Sequence, residues 1–259
     1  MTQPALHGRF VWYDLMTEDP EAAQGFYTKL VGWGTQQWEG SQPYTMWTNE
    51  NAPVGGVMQL PEEAKQGGAP SHWLAYVGTD DVAATTARAE ELGAKVLVPP
   101  TEIPNAGTFA VLQDPQGAVF AAYTPPEGMP VSDEEPKQGE FSWHELATSD
   151  HGAAFDFYSK LFGWRETESM DMGEMGVYQM YGQTERSLGG MFNKPPEMPV
   201  PFWLYYIKVP DVEQSVKQVE EMGGQVVNGP MEVPGGDKVA QCVDPQGAMF
   251  AIHSSPPKA

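Results

Sequence analysis

The sequence contains one cysteine and no long apolar run. The single thiol, Cys242, excludes an intramolecular disulfide, and its place in an apolar, strand-like stretch indicates a buried thiol rather than a nucleophile. No stretch approaches the roughly 20 apolar residues that cross a bilayer. Residues 1–10 also lack the apolar centre of a signal peptide. We therefore expect a cytoplasmic protein.

The chain is also poor in positive charge. It has 14 Lys and Arg residues against 35 Asp and Glu residues, a formal net charge of −21. Such a surface repels nucleic-acid phosphates and anionic membranes, so we expect neither as a partner. The sequence has neither a P-loop nor a dinucleotide-binding fingerprint. A small-molecule ligand is the expected partner, and a homodimer remains open.

The sequence repeats itself once. Gly8–Trp33 aligns without a gap to Gly139–Trp164, sharing an aromatic first stretch, a helix-capping Asp and a final Gly-Trp. Further along, Asp114–Ala118 recurs unchanged as Asp244–Ala248. Matches of this extent indicate an internal duplication.

The duplication predicts two domains, residues 1–124 and residues 139–259. Residues 125–138 between them are rich in proline and acidic side chains, which is typical of a linker. Each half has its own aromatic residues, so a cut near Pro130 is expected to leave two fragments that fold separately.

Each half is predicted to be an α+β domain. In the first half, Phe10–Met16 alternates as a strand does, and Asp19 then caps a helix with Pro20 in its first turn. The pattern restarts at Trp73–Val77. The Asp-Pro-Gln-Gly sequence that begins at Asp114 has the residues of a type I turn and is predicted to close the last hairpin. Each half is thus predicted to contain two βαβββ units.

These motifs resemble the vicinal oxygen chelate superfamily, which holds glyoxalase I, extradiol dioxygenases and bleomycin-resistance proteins. The resemblance rests on the aromatic first strand, the Asp-Pro-Glu-Ala-Ala…Phe-Tyr…Leu…Gly-Trp helix and the Asp-Pro-Gln-Gly turn. It covers nearly the whole chain outside the linker. It implies that the two units of each half form a half-open barrel around a cleft.

The resemblance also implies where metal ligands would stand. In metal-dependent members they lie on strands that face the cleft, and the corresponding residues here are Trp12, Leu74 and Ala121 in the first half and Trp143, Leu204 and Ala251 in the second. Such side chains cannot supply the converging N, O or S ligands that a metal needs. We expect metal-free clefts without a cofactor; the alternative is a divalent metal such as Zn, Ni or Fe.

Strand alternation predicts which side chains line the clefts, if the geometry of the family holds. They are Trp12, Asp14, Tyr76 and Tyr123 in the first half, and Trp143, Glu145, Tyr206 and His253 in the second. By the same parity, His144 is predicted to face the helices as a core residue, like Tyr13 at the matching place.

Two functions remain open. The first is a glyoxalase-like or bleomycin-resistance-like protein that binds a small, partly aromatic molecule in a metal-free cleft. The alternative is an enzyme, either a glyoxalase-like lyase or isomerase, with or without a metal, or a hydrolase. In a metal-free enzyme, Glu145 and His253 would act as a general acid/base pair, because His titrates near neutral pH and a carboxylate can hold its tautomer. The other interpretation gives both residues local structural roles. Any catalysis is expected in the second half.

Overall fold

The computed structural model describes residues 6–40, 43–126 and 134–256. Residues 127–133 of the predicted linker, including Pro130, lie outside the described residues. In the part of the chain that is described, no helix is long and apolar enough to cross a membrane.

The first repeat forms an eight-stranded mixed sheet in the order β2-β3-β4-β1-β5-β8-β7-β6. Its elements are β1 (Phe10–Thr17), α1 (Pro20–Leu30), β2 (Gly34–Gln37), β3 (Thr45–Asn49), β4 (Ala52–Gln59), α2 (Glu62–Gln66), β5 (His72–Gly78), α3 (Val82–Glu91), β6 (Lys95–Ile103), β7 (Gly107–Gln113) and β8 (Val119–Thr124).

The second repeat forms a second sheet with the equivalent order, β10-β11-β12-β9-β13-β16-β15-β14. Its elements are β9 (Phe141–Thr148), α4 (His151–Phe162), β10 (Arg165–Asp171), β11 (Val177–Gly182), β12 (Gly189–Asn193), β13 (Phe202–Lys208), α5 (Val212–Glu221), β14 (Gln225–Glu232), β15 (Lys238–Val243) and β16 (Met249–Ser254). The parallel pairs β1/β4, β5/β8, β9/β12 and β13/β16 close the four βαβββ units, which confirms the predicted α+β fold.

Each long helix begins at an aspartate, as the sequence predicts for Asp19. The side chains of Asp19, Asp81, Asp150 and Asp211 each accept a backbone N–H of the first helical turn, at 2.8–3.2 Å. These bonds satisfy donors that the helix itself leaves unpaired.

The sequence pattern does not predict β2. All of its residues are exposed, and it lies at the edge of the first sheet, paired with β3. A strand without a buried face has no hydrophobic alternation to detect.

The chain forms two compact units, and each combines parts of both repeats. Unit 1 consists of Met1–Val11, Ala75–Glu134 and Trp143–Trp203, and unit 2 consists of Trp12–Leu74, Glu135–Ser142 and Leu204–Ala259. In unit 2, Tyr27, Trp33 and Trp47 of the first repeat pack against one another, and Phe141 and Phe250 of the second repeat add to that cluster. The aromatic core of each unit is therefore shared between the repeats.

The aromatic face of α1 shows the reason. In unit 2, the rings of Phe26 and Tyr27 pack edge-on against Phe250 of β16, with ring centroids 5.9 and 5.4 Å apart. In unit 1, Tyr158 of α4 packs in the same way against Phe120 of β8, at 5.3 Å. The apolar stripe of each first helix is thus covered by the last strand of the other repeat.

The Asp-Pro-Gln-Gly turns join these helices to the strands. Asp114 accepts the backbone N–H groups of Gln116, Gly117 and Ala118 at 2.8–3.0 Å, which confirms the predicted turn. Its second oxygen accepts the hydroxyl of Tyr158 at 3.0 Å. Burial raises the pKa of the Asp114 carboxyl above its ordinary value.

The second turn repeats this arrangement in unit 2. Asp244 accepts the N–H groups of Gln246 and Ala248, both at 2.9 Å, and the hydroxyl of Tyr27 at 3.0 Å. Trp73 in turn donates its indole N–H to Tyr27 at 3.0 Å. Burial raises the pKa of the Asp244 carboxyl as well. Each turn is therefore tied to a helix of the other repeat.

The buried side chain of His144 confirms its predicted core position. Its ring stacks on Phe10 of unit 1 with centroids 3.8 Å apart, and its Nδ1 lies 2.7 Å from the carbonyl of Leu188. Burial lowers the pKa of His144 to about 3. Tyr13, its counterpart, is buried in unit 2 and stacks on Phe141 at 3.7 Å.

His144 is expected to make the protein sensitive to acid. Unfolded His144 binds a proton below its ordinary pKa of 6.5, whereas the folded residue stays neutral down to about 3. The stability that neutral burial contributes is present above pH 6.5 and is lost as the pH falls toward 3. At pH 5 the loss amounts to about 2 kcal/mol, from about 1.4 kcal/mol per pH unit.

The control is His144→Phe, which keeps the stack on Phe10. The Leu188 carbonyl then retains the backbone N–H of residue 144, at 3.2 Å in the native chain. Urea unfolding of both proteins at pH 7.5 and pH 5 measures the difference. The buried Asp114 and Asp244 carboxyls have raised pKa values and act in the opposite sense, but they are common to both proteins. An equal pH dependence of the two proteins would contradict the assignment.

The cysteine also takes its predicted place. Cys242 lies fully buried on β15, and burial raises the pKa of its thiol to about 12. A thiol that stays protonated at neutral pH is a poor nucleophile.

Candidate functional site

A carboxylate with two aromatic partners lies on β1 in unit 2. Tyr44 donates its hydroxyl to Asp14 Oδ1 at 2.6 Å, and the indole N–H of Trp12 lies 2.7 Å from the Tyr44 hydroxyl and 3.0 Å from Asp14 Oδ1. We call these three residues the first acidic-aromatic set. Gly56 pairs with Asp14 across β1 and β4, and a Cβ at Gly56 would collide with the Tyr44 ring.

The second repeat has the same arrangement in unit 1. Trp143 donates to the Tyr178 hydroxyl at 2.8 Å, and Tyr178 donates to Glu145 Oε2 at 2.9 Å. These three residues are the second acidic-aromatic set. Gly190 pairs with Glu145, and a Cβ there would collide with the Tyr178 ring.

Within each set, the carboxylate is more deeply buried than the aromatic side chains. Asp14 and Glu145 are only 5% and 9% exposed, whereas the Trp and Tyr members are partly exposed. A buried carboxylate is costly unless it is hydrogen-bonded, and a phenol O–H is a strong donor to it. Each set therefore presents partly exposed aromatic rings above a buried acidic group.

Strand alternation correctly predicts that Trp12 and Asp14, and likewise Trp143 and Glu145, share a face. It misses Tyr44, which immediately precedes β3, and Tyr178, which lies on β11. Each of these strands is two positions away in the sheet from the strand that carries the carboxylate. A signal for them exists in the sequence. Each Tyr precedes a Gly-Gly pair, Gly55-Gly56 or Gly189-Gly190. The first glycine of each pair lies against the backbone of β1 or β9, and the second leaves room for the Tyr ring.

Tyr76 and Tyr123 lie together in unit 1. Their ring centroids are 6.0 Å apart in an edge-on arrangement, and Tyr76 also lies 6.1 Å from Phe109. Tyr123 donates its hydroxyl to the carbonyl of Ala106. Tyr76 is buried and Tyr123 is partly exposed.

The two remaining predicted residues, Tyr206 and His253, lie in unit 2 with partners that the sequence does not reveal. Gln241 donates its amide to the Tyr206 hydroxyl at 3.2 Å. His253 lies 2.9 Å from Ser142 through Nδ1 and 2.9 Å from Asp237 through Nε2. Because these partners come from separate strands and a turn, no local pattern marks them.

Glu145 and His253 belong to different units, and each is hydrogen-bonded within its own unit. Glu145 accepts from Tyr178, and His253 contacts Ser142 and Asp237. The acid/base pairing of Glu145 with His253 stays a prediction.

The side chains at the expected metal-ligand positions do not suit a metal ion. The positions that correspond to metal ligands in the resembled superfamily hold tryptophan, leucine and alanine: Trp12, Leu74, Ala121, Trp143, Leu204 and Ala251. Within residues 6–40, 43–126 and 134–256, no three His, Cys, Asp or Glu side chains are grouped so that they could hold a metal ion. We therefore derive no chemistry through a metal.

Comparison with known proteins agrees with this fold. The family model of the Glyoxalase/Bleomycin resistance protein/Dioxygenase superfamily matches residues 9–121 and again residues 140–252. The chain belongs to this superfamily. Both repeats are members, which accounts for the duplication.

Two relatives show the extent of the sequence similarity. A Mycobacterium bovis protein with the provisional name glyoxylase CFP32 is 30% identical over 253 residues, 95% of each chain. The anthracycline biosynthesis protein DnrV of Streptomyces peucetius is 32% identical over 125 residues, which cover 43% of this chain and 45% of DnrV.

Solved structures share the fold at low identity. The Mn(II)-bound glyoxalase of Novosphingobium aromaticivorans has a TM-score of 0.63 and 16% identity, with 96% of this chain and 82% of that chain covered. The 2,3-dioxygenase LapB of Pseudomonas sp. KL28 has a TM-score of 0.66 and 13% identity, with 97% and 94% covered.

Proposed function

We propose that this superfamily member binds a small, partly aromatic molecule without a metal, and that the two acidic-aromatic sets supply the contacts. The observation that carries the proposal is the recurrence of a Trp–Tyr–carboxylate set in both repeats, at positions where strand alternation predicts cleft-facing residues. Ligand pockets combine aromatic surface with a few placed polar groups in this way. The metal-free state is part of the proposal and is supported by the side chains at the family's ligand positions.

Charge narrows the class of ligand. A net charge of −21 and a buried carboxylate in each set disfavour an anion. A neutral or cationic aromatic molecule with a hydrogen-bond donor suits the sets better, since rings stack on Trp and Tyr and a cation is attracted to their faces. The name of DnrV, an anthracycline biosynthesis protein, is consistent with an aromatic ligand for a relative.

Calorimetric titration with three probes that share the naphthalene ring tests this proposal. The probes are 2-naphthylmethylammonium, neutral 2-naphthol and anionic 2-naphthoate. The cation and the neutral molecule are expected to bind, with naphthoate at least about tenfold weaker, which corresponds to about 1.4 kcal/mol. Binding is expected to survive treatment with EDTA, because no metal–ligand bond contributes.

Matched variants test whether the two acidic-aromatic sets bind the probes. Glu145→Gln and Asp14→Asn remove one charge each and are expected to weaken binding of the cation about tenfold at their own set. Glu90→Gln removes the same charge from an exposed position of α3 and is expected to leave binding unchanged. The proposal would be contradicted if naphthoate bound as tightly as the cation, or if EDTA abolished binding.

A further inference from the structure

Three side chains in unit 2 form a hydrogen-bonded chain that the binding proposal does not use. Ser142 Oγ lies 2.9 Å from Nδ1 of His253, and Nε2 of His253 lies 2.9 Å from Asp237 Oδ2. We call these residues the Ser142–His253–Asp237 chain. A hydroxyl, an imidazole and a carboxylate in series are the groups that activate a serine nucleophile.

The carboxylate fixes the tautomer of the imidazole. Ionised Asp237 can only accept a hydrogen bond, so Nε2 of His253 carries the proton between them. In the neutral ring, Nδ1 then holds a lone pair directed at Ser142 Oγ. Ser142 is also 3.2 Å from the carbonyl of Tyr206, a longer contact than the 2.9 Å to His253. The hydroxyl therefore has two acceptors within reach: the Tyr206 carbonyl, to which it donates in the structure, and Nδ1, to which it can turn and transfer its proton.

The chain is open to solvent and has polar neighbours. The His253 and Asp237 side chains are 15% and 37% exposed, and Ser142 is partly exposed. Ala251 pairs with both Tyr206 and Gln241, and His253 follows Ala251 by two residues on β16. The Gln241–Tyr206 hydrogen bond therefore lies in the neighbouring row of the same sheet face as His253.

The first repeat lacks the chain. In the alignment of the repeats, Val11 stands in place of Ser142, Gly107 in place of Asp237 and Tyr123 in place of His253. Tyr123 instead donates to the carbonyl of Ala106. The two repeats share the acidic-aromatic set, whereas this chain distinguishes the second repeat.

We propose that Ser142 is a nucleophile for acyl transfer from small activated esters, with His253 as its general base and Asp237 as the residue that positions His253. Oγ of Ser142 attacks the ester carbonyl carbon while its proton passes to Nδ1. The C–O bond to the alcohol breaks, and the leaving alkoxide takes that proton, which leaves an acyl-serine. Water then attacks the acyl carbon, a proton returns to Oγ through Nδ1, and the carboxylic acid departs.

A fluorophosphonate probe tests the nucleophile in the intact, unmodified chain. Oγ is expected to displace fluoride and give one phosphonyl adduct per chain, which peptide mass spectrometry locates at Ser142. Because this first measurement needs no variant, a folding defect cannot obscure it. An unlabelled chain, or an adduct on a different serine, would overturn the proposal.

Variants then separate the roles of the three residues. Ser142→Ala is expected to abolish labelling, and His253→Gln to slow it at least about 100-fold. Asp237→Asn is expected to slow labelling about tenfold, because Asp237 acts only by orienting His253. Asp237→Glu restores the carboxylate and is expected to restore the labelling rate. Ser149→Ala changes an exposed serine that is bonded to Gln116 and is expected to label like the parent. Equal labelling rates for the parent and His253→Gln would show that Ser142 is not activated by this chain.

Discussion

Residues 1–130 and residues 131–259, prepared as separate fragments, are expected to be unfolded alone and to fold when they are mixed. Each compact unit draws strands and helices from both repeats, so each fragment holds only part of either core. Alone, the first fragment exposes the Phe26 and Tyr27 face of α1, which Phe250 covers in the whole chain. A hydrophobic face without its partner strand loses the burial that offsets chain entropy.

Near-ultraviolet circular dichroism and thermal melting of each fragment, at submicromolar concentration, measure this. The matched control is the whole chain cut by a protease at a site inserted near residue 130 and kept together. That nicked chain is expected to retain its cooperative melt, since the packing of α1 on β16 and of α4 on β8 stays in place. A cooperative melt of either monomeric fragment would show that a repeat can complete its own core after all.

The pairing of units across the repeats could not be predicted from the sequence, for a physical reason. Tyr27 and Tyr158 are equivalent residues, and so are Asp114 and Asp244. A Tyr–Asp hydrogen bond within one repeat has the same chemistry as one between repeats. Tyr27 pairs with Asp244 and Tyr158 with Asp114, a choice that the duplicated sequence leaves open.

Local features were more predictable. The Asp caps, the Asp-Pro-Gln-Gly turns and the buried His144 depend on spacing and strand parity along a few residues, and each is confirmed. The acidic-aromatic sets were half predictable, because Trp12 and Asp14 follow parity on one strand. Their Tyr partners depend on contacts between separate strands, for which the Gly-Gly pairs are the local signal. The Ser142–His253–Asp237 chain also joins separate strands, and no local pattern marks it.

Asp244→Ala is expected to cost roughly 3 kcal/mol of unfolding free energy, as is Asp114→Ala. Each buried carboxylate accepts backbone N–H groups of its turn and a Tyr hydroxyl. Truncation to alanine leaves these N–H and O–H donors without an acceptor. Tyr27→Phe removes one of these hydrogen bonds and is expected to cost about 1–2 kcal/mol. Urea unfolding measures all three losses.

Combining the variants decides which repeat supplies each partner. Tyr27→Phe and Asp244→Ala remove the two ends of one hydrogen bond, so their combined loss is expected to fall short of the sum by about 1 kcal/mol. Tyr27→Phe with Asp114→Ala is the matched control, chemically identical but between residues of the same repeat. These two losses are expected to add, because Asp114 bonds Tyr158 in unit 1 and Tyr27 bonds Asp244 in unit 2. Coupling in the control pair and additivity in the first would mean that each helix packs on the last strand of its own repeat.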